Sequence, residues 1–398
     1  MPPKSQAQVM VGVVGAGAMG AGIAQVAAAA RHRVVLADAM DGATARARAS
    51  IDAGLTKLVE KGKVEAIARD ELLARITFVG APLDADLAAF GECGFVIEAV
   101  TEDVAVKRGL FAALGELVAA DAVLATNTSS LSIASIASAA SNPGRVIGVH
   151  FFNPAPVMPL VEIVPALSTS AAVAVAARAL VDSWGKTTVV SADAPGFIVN
   201  RIARPFYGES LRVLEEGIAD CATIDWAMRE LGGFRMGPFE LMDFIGNDVN
   251  YAVSASVFEG TFYDPRYRPA LTQRRLVESG RLGRKTQIGY YDYHDGAVRP
   301  KPNEDRALGE RVLARVLAML INEAAEALSL RIATARDIDL AMTKGVNYPK
   351  GLLAWCDEIG AATVLAQLEA LHAEYGDDRY RASPLLRRVA REGSRILA

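Results

Sequence analysis

Short apolar runs closed by glycines or polar turns alternate with helix-forming stretches through the first half of the chain. Val9-Met10-Val11-Gly12-Val13-Val14 has the pattern of a buried parallel strand. Gly15-Ala16-Gly17-Ala18-Met19-Gly20 follows at once and opens an Ala-rich stretch over 21–30 that is expected to be helical. Arg33-Val34-Val35-Leu36-Ala37 reads as the next strand and ends at Asp38. Phe95-Val96-Ile97-Glu98-Ala99-Val100, Ala122-Val123-Leu124-Ala125-Thr126 and Val146-Ile147-Gly148-Val149 read the same way, with helical segments between them. This alternation predicts an α/β domain with a doubly wound parallel sheet over 1–191. From about residue 192 the periodicity turns helical.

At 398 residues the chain has room for two or three domains of ordinary size. A hydrophobic share of 52% supplies buried cores and argues against disorder over most of the length. A net charge of -4 gives no electrostatic reason to expect nucleic acid, although a local Lys or Arg cluster could hold a phosphorylated small molecule. Cys93, Cys221 and Cys356 lie far apart without CxxC spacing. That excludes a thiolate zinc site and favours a reducing, cytoplasmic compartment. Residues 1–9 lack the basic start and apolar core of a signal peptide, and no run of about 18 apolar residues suggests a membrane span.

The spacing at 15–20 is G-x-G-x-x-G, directly after a strand and before a helix. Gly15 allows the tight turn, Gly17 lets backbone approach a pyrophosphate, and Gly20 lets helix and strand pack closely. Ala18 and Met19 then sit at a helix N-terminus whose N–H groups suit phosphate. Asp38 lies 18 residues after Gly20, where a carboxylate can hold both ribose hydroxyls and repel a 2′-phosphate, which favours NAD over NADP. A solvated strand end or a cap is the alternative for Asp38. Lys57, Lys61 and Lys63 fall on one probable helix and, taken alone, read as a solvated face.

Of the four histidines, His32 sits in Arg31-His32-Arg33 and is expected to be exposed, His294 lies in a polar turn, and His372 belongs to the helical half. His150 closes a strand, where open α/β sheets bind ligands. Twelve residues on, Glu162 stands among apolar neighbours in Val161-Glu162-Ile163-Val164 and needs a partner there. A Glu–His pair suits removal of a hydroxyl proton while hydride leaves the same carbon. Ser129, in the polar stretch 126–130, and Asn200, in Pro195-Gly196-Phe197-Ile198-Val199-Asn200-Arg201, could bond substrate oxygens or serve as cap or turn residues. No metal-ligand spacing is visible.

The helical half repeats. Ile224-Asp225-Trp226-Ala227-Met228 recurs as Ile338-Asp339-Leu340-Ala341-Met342, an offset of 114. The same offset pairs Arg201 with Arg315, Glu209 with Glu323, Gly237 with Gly351, and Asp243 with Asp357. Asn200 pairs with Ala314, so the second copy lacks the amide and one active site per chain is expected, with the second copy packed against the first.

GAGAMG at 15–20, NTSSLSI at 127–133, HFFNPAPVMPLVE at 150–162 and PGFIVNR at 195–201 together resemble the L-3-hydroxyacyl-CoA dehydrogenase family. The resemblance implies a Rossmann-type NAD domain (1–191) followed by two tandem all-helical C-terminal domains (192–295 and 311–398). It implies NAD-dependent oxidation of (S)-3-hydroxyacyl-CoA to 3-oxoacyl-CoA, with His150 as base, Glu162 as its partner, and Ser129 and Asn200 orienting the substrate. Asp38, Glu102, Lys107 and Asn153 would contact NAD, and Lys61 would lie near coenzyme A. Gly54 replaces a serine of animal members, and Pro159 stands where many relatives have lysine. In single-copy members the helical domain mediates dimerisation, so this chain is expected as a monomeric pseudo-dimer or a homodimer. The tandem layout and the segment GVNYPKGLLAWCDEIG look like bacterial phenylacetate-pathway members, whose substrate would be 3-hydroxyadipyl-CoA, although those carry a longer linker between copies. Arg201 and Arg204 could serve a dicarboxylyl chain or be structural ion-pair residues. A dehydrogenase of non-CoA hydroxy acids and a non-enzymatic NAD-binding protein of the lambda-crystallin type are the alternatives.

Overall fold

The computed structural model describes residues 9–80 and 87–397, so the signal-peptide reading of residues 1–8 lies outside the described residues. The chain divides into two compact units between Asp193 and Ala194, against an expected boundary at 191/192.

In the first unit β1 (Val11–Val14), β2 (Val34–Ala37), β3 (Ile76–Val79), β4 (Phe95–Glu98), β5 (Val123–Thr126), β6 (Val146–Phe151), β7 (Leu160–Pro165) and β8 (Thr187–Val190) form one sheet. Its order is β3-β2-β1-β4-β5-β6-β7-β8. Every neighbouring pair is parallel except β6 and β7, which are antiparallel. The all-parallel expectation is corrected there, for a simple reason: only the segment 152–159 separates the two strands. A parallel crossover needs about a dozen residues or more, so the short connection turns the chain back on itself. Helix α1 (Ala18–Ala29) presses its buried face, including Ile23, Ala24 and Ala27, onto the sheet.

A second expectation fails at His32. Arg31 adopts a left-handed backbone (φ 70), which leaves both flanking arginines exposed and turns the imidazole inward. There the ring engages the Val9 carbonyl through Nδ1 at 2.8 Å and meets Trp184 edge-on.

The second unit is helical and contains both copies. The first begins with α2 (Val199–Ile202) and α3 (Arg204–Glu215), broken at Ala203 where Pro205 follows; the second runs unbroken as α4 (Arg306–Ser329), with Met319 in place of that proline. Buried ion pairs cross between the copies reciprocally. Arg201 Nε donates to Glu323 at 2.8 Å, and Arg315 Nε donates to Glu209 at 2.6 Å. The Tyr267 hydroxyl donates to Glu323, and the Tyr380 hydroxyl to Glu209. Arg201 and Arg315 occupy equivalent positions, as do Glu209 and Glu323. Each arginine therefore meets the other copy's glutamate, the self-complementary pattern of a two-fold interface. Within each copy the repeated Asp–Gly pair does the same work. Asp225 accepts from the Phe239 and Glu240 amides and Asp339 from Leu353 and Ala354, while a Cβ on Gly237 or Gly351 would collide with those carboxylates.

Removing one carboxylate from such a pair strands a buried guanidinium. Glu323→Ala and Glu209→Ala are each expected to lower the unfolding free energy by about 3–5 kcal/mol, read from urea titration. Losses below about 1 kcal/mol would show the crossed pairs to be incidental.

Candidate functional site

The carboxyl end of the sheet carries the glycine loop. Gly15 has φ 103, and a Cβ there would lie 2.5 Å from the Ala99 carbonyl oxygen. A Cβ on Gly20 would lie 1.7 Å from the Gly15 oxygen, so this position is glycine because α1 crosses the loop. Gly17 differs: its φ is -67 and a Cβ would meet nothing within 4 Å. The protein itself does not require glycine there. Gly17 and Ala18 are exposed and Met19 is half-buried, so the first amides of α1 are presented outward. Asp38 ends β2 and accepts the Ala16 amide at 2.6 Å and the Met40 amide at 2.8 Å. One carboxylate thus pins the loop to the strand carrying it. An open helix terminus beside a half-buried carboxylate fits the pyrophosphate and ribose of a dinucleotide.

Next along the sheet edge is a charge network. Lys107, on helix α5 (Val104–Leu117), is 1% exposed; its ammonium lies 2.5 Å from Glu98 and 3.3 Å from Glu102. Glu98 is fully buried and also accepts the Val100 amide and the Thr126 hydroxyl. Glu102 accepts from the Thr128 hydroxyl, the Ser129 amide at 3.0 Å and the Ser130 hydroxyl at 3.2 Å. Burial by itself would raise the Glu102 carboxyl, but the Lys107 ammonium and the Thr128 and Ser129 donors outweigh it and hold it below the usual carboxylate range. The family resemblance picked out Glu102 and Lys107 and passed over Glu98. Its signal was a lone carboxylate closing an apolar strand. Asn127 was likewise noticed only as part of a polar stretch; its side-chain oxygen accepts the Phe151 amide at 2.8 Å and fixes the end of β6 against β5.

His150 lies within β6 rather than after it, and the antiparallel register sets it directly opposite Glu162. Directly opposed residues share a face, so the imidazole and carboxylate meet: Nδ1 lies 2.7 Å from Glu162 Oε2. Glu162 is fully buried and His150 is 5% exposed, with the Phe152 ring 4.6 Å away. A carboxylate only accepts, so Nδ1 carries the proton and Nε2 holds the basic lone pair of the neutral ring. Lys186 steadies the connection beyond, donating to the Ala155 carbonyl at 2.5 Å and that of Met158 at 2.8 Å.

Ser129 is half-buried at the end of β5, with its hydroxyl 3.5 Å from Glu102. Asn153 is exposed in the 152–159 connection, and Lys61 is exposed at the C-terminal cap of helix α6 (Ala43–Glu60). Asn200 belongs to the second unit, half-buried in α2, after a turn that needs Gly196: φ is 75 and a Cβ would lie 2.8 Å from the Arg201 amide nitrogen. Of the two candidate cations after it, Arg201 is committed to Glu323.

Comparison with known proteins follows the same division. The model of the 3-hydroxyacyl-CoA dehydrogenase NAD-binding domain matches residues 10–194, and that of the 3-hydroxyacyl-CoA dehydrogenase C-terminal domain matches 196–293 and 312–395. The chain belongs to the 3-hydroxyacyl-CoA dehydrogenase family. It is an NAD-dependent oxidoreductase with that family's dehydrogenase activity. A 3-hydroxyadipyl-CoA dehydrogenase of Escherichia coli (strain K12) is 39% identical over 465 residues, covering 96% of this chain and 97% of the relative. That alignment is longer than the whole of this chain, so the relative carries residues with no counterpart here. A 3-hydroxybutyryl-CoA dehydrogenase of Bradyrhizobium diazoefficiens is 42% identical and covers 73% of this chain and 97% of its own length. Among solved structures, a 3-hydroxybutyryl-CoA dehydrogenase from Escherichia coli K12 superimposes with a TM-score of 0.88 at 38% identity, covering 96% of this chain and 98% of that one.

The loop geometry separates two kinds of glycine. Gly20→Ala is expected to destabilise the fold, because its methyl group collides with backbone. Gly17→Ala is expected to melt with the parent protein yet bind NAD at least tenfold more weakly, about 1.4 kcal/mol. Thermal melting and NAD titration of both variants check this; unchanged NAD affinity in Gly17→Ala would count against the loop as a pyrophosphate cradle.

Proposed function

We propose that this dehydrogenase oxidises the hydroxyl of an (S)-3-hydroxyacyl-CoA with His150 as the general base. The observation that carries the reading is the buried 2.7 Å contact between His150 Nδ1 and Glu162. With Nδ1 donating to Glu162, Nε2 is the nitrogen that takes the substrate's hydroxyl proton. The ring is then an imidazolium beside a carboxylate, and Glu162 stabilises that charge while fixing the ring's orientation. NAD, when bound, supplies the hydride acceptor. Ser129 and Asn200 orient the hydroxyl and the thioester carbonyl, and Lys61 serves coenzyme A. Gly15, Gly17, Ala18, Met19, Gly20, Asp38, Glu102, Lys107 and Asn153 form the dinucleotide side, with Asp38 selecting NAD over NADP.

The relatives that match nearly the whole chain are named for two acyl groups, 3-hydroxyadipyl and 3-hydroxybutyryl. We favour the dicarboxylyl substrate, in a phenylacetate-type degradation, on the resemblance of the tandem layout and the segment GVNYPKGLLAWCDEIG to phenylacetate-pathway members. His150→Ala is expected to keep NAD affinity while kcat on 3-hydroxybutyryl-CoA falls by about 10²–10⁴, and Glu162→Gln to lose a smaller part of kcat. An NADH-release assay reads both; near-parental turnover by His150→Ala would remove the mechanism.

We also infer that the crossed ion pairs bury within one chain the surface that single-copy relatives use to dimerise. Sedimentation velocity at micromolar concentration is expected to give a monomer of 42.1 kDa. A stable dimer would overturn that assignment.

A further inference from the structure

Helix α3 opens with a buried cation, Arg204. Arg204 is 7% exposed, and among the described residues no carboxylate pairs with it. Its Nε donates to the Asn200 carbonyl at 2.7 Å, and Nη1 donates to the Ser254 hydroxyl at 3.1 Å and the Asn250 carbonyl at 3.4 Å. All three acceptors are neutral. The other buried arginines nearby are matched: Arg201 with Glu323, and Arg266 with Asp264 and Glu323. Burying a guanidinium without a counter-charge is costly, so an anion supplied from outside would find it already desolvated.

Arg204 lines a small, narrow cleft together with Tyr207, Ser254, Gln273 and Arg268. Arg268 is exposed and adds a second positive charge. The internal repeat supplies an independent observation. At the offset of 114, Arg204 corresponds to Ala318, Asn250 to Val364 and Ser254 to Leu368, all three buried. The copy that lacks the Asn200 amide also fills these polar positions with apolar side chains. Arg201 and Glu209, by contrast, are retained as Arg315 and Glu323, as their structural pairing requires.

We propose that this cleft takes the far carboxylate of a dicarboxylyl chain and that Arg204 is the specificity-determining residue reading it; this rests on the proposed role of Asn200 at the thioester. Asn200 and Arg204 are four residues apart across the break at Ala203, a separation on the order of 6 Å. The carbon bridge between the thioester and the end carboxylate of a six-carbon dicarboxylyl chain spans a distance of the same order. A site holding a buried cation accepts a carboxylate and gains nothing from a methyl group, so the discrimination is by charge rather than length.

The test compares kcat/KM for 3-hydroxyadipyl-CoA and 3-hydroxyhexanoyl-CoA, equal in chain length, in the parent protein, Arg204→Met and Arg204→Lys. The parent is expected to favour the dicarboxylyl substrate at least tenfold, Arg204→Met to lose that ratio chiefly through KM, and Arg204→Lys to recover part of it. Equal use of the two substrates by the parent, or an unchanged ratio in Arg204→Met, overturns the inference and leaves the dehydrogenase reading standing. No turnover of any 3-hydroxyacyl-CoA by the parent removes both. Should both variants fail to fold, inhibition of the parent decides: adipyl-CoA is expected to inhibit 3-hydroxybutyryl-CoA oxidation at least tenfold more tightly than hexanoyl-CoA, and equal inhibition constants overturn the inference.

Discussion

The register between β6 and β7 is the constraint on which the catalytic half depends. Side chains on a strand alternate between faces, so His150 and Glu162 meet only in the pairing the sheet adopts. A slip of one residue would send the carboxylate to the other face and leave two buried polar groups apart, at a cost of several kcal/mol. The need to pair them thus selects the register, and the register in turn positions His150, the proposed base. Neighbouring contacts reinforce it from both ends. Asn127 holds the Phe151 amide where β6 ends, and Lys186 gathers two carbonyls of the connecting segment. Stability and chemistry draw on the same contact here, which is why a carboxylate can be tolerated with no solvent access.

The helical unit applies the same electrostatic rule to a different end. Its buried arginines are neutralised by glutamates of the opposite copy, and each glutamate is further held by a tyrosine hydroxyl. Reciprocity follows from duplication: a surface complementary to itself meets its own copy in two equivalent contacts. Once both copies are on one chain, either can lose its chemistry while the pairing persists. At Ala314 the second copy lacks the amide that Asn200 carries in the first.

Much of this was legible in the residues. The glycine spacing, Asp38 at a strand end, the chemical need of a buried Glu162 for a partner, and the ungapped repeat all follow from short-range physics. What was missed needed direction or depth. An apolar run such as 160–165 carries no strand direction, and only the brevity of 152–159 decides it. His32 stands between two charged residues and so reads as exposed, yet one left-handed residue before it turns the ring inward. Glu98 was hidden because a carboxylate at the end of a strand is equally compatible with solvent, and its burial depends on Lys107 arriving from the following helix. The repeat aligned Arg201 with Arg315 and Glu209 with Glu323, but alignment records equivalence, and the contacts run across it.

An internal repeat also works as a control within one molecule. Both copies meet the same solvent and share a backbone plan, so a polar residue kept in both is explained by what the fold requires. Arg201, Glu209, Asp225 and Gly237 pass that criterion through their partners in each copy. A polar residue present in one copy and replaced by an apolar side chain in the other cannot be required by the shared plan. Asn200 and Arg204 fall in that second group, four residues apart. Sequence alone left Arg201 and Arg204 as equals, two arginines opening one helical stretch. The counter-charge separates them: Arg201 is neutralised by the protein, whereas Arg204 is desolvated by the protein and neutralised by none of its described carboxylates.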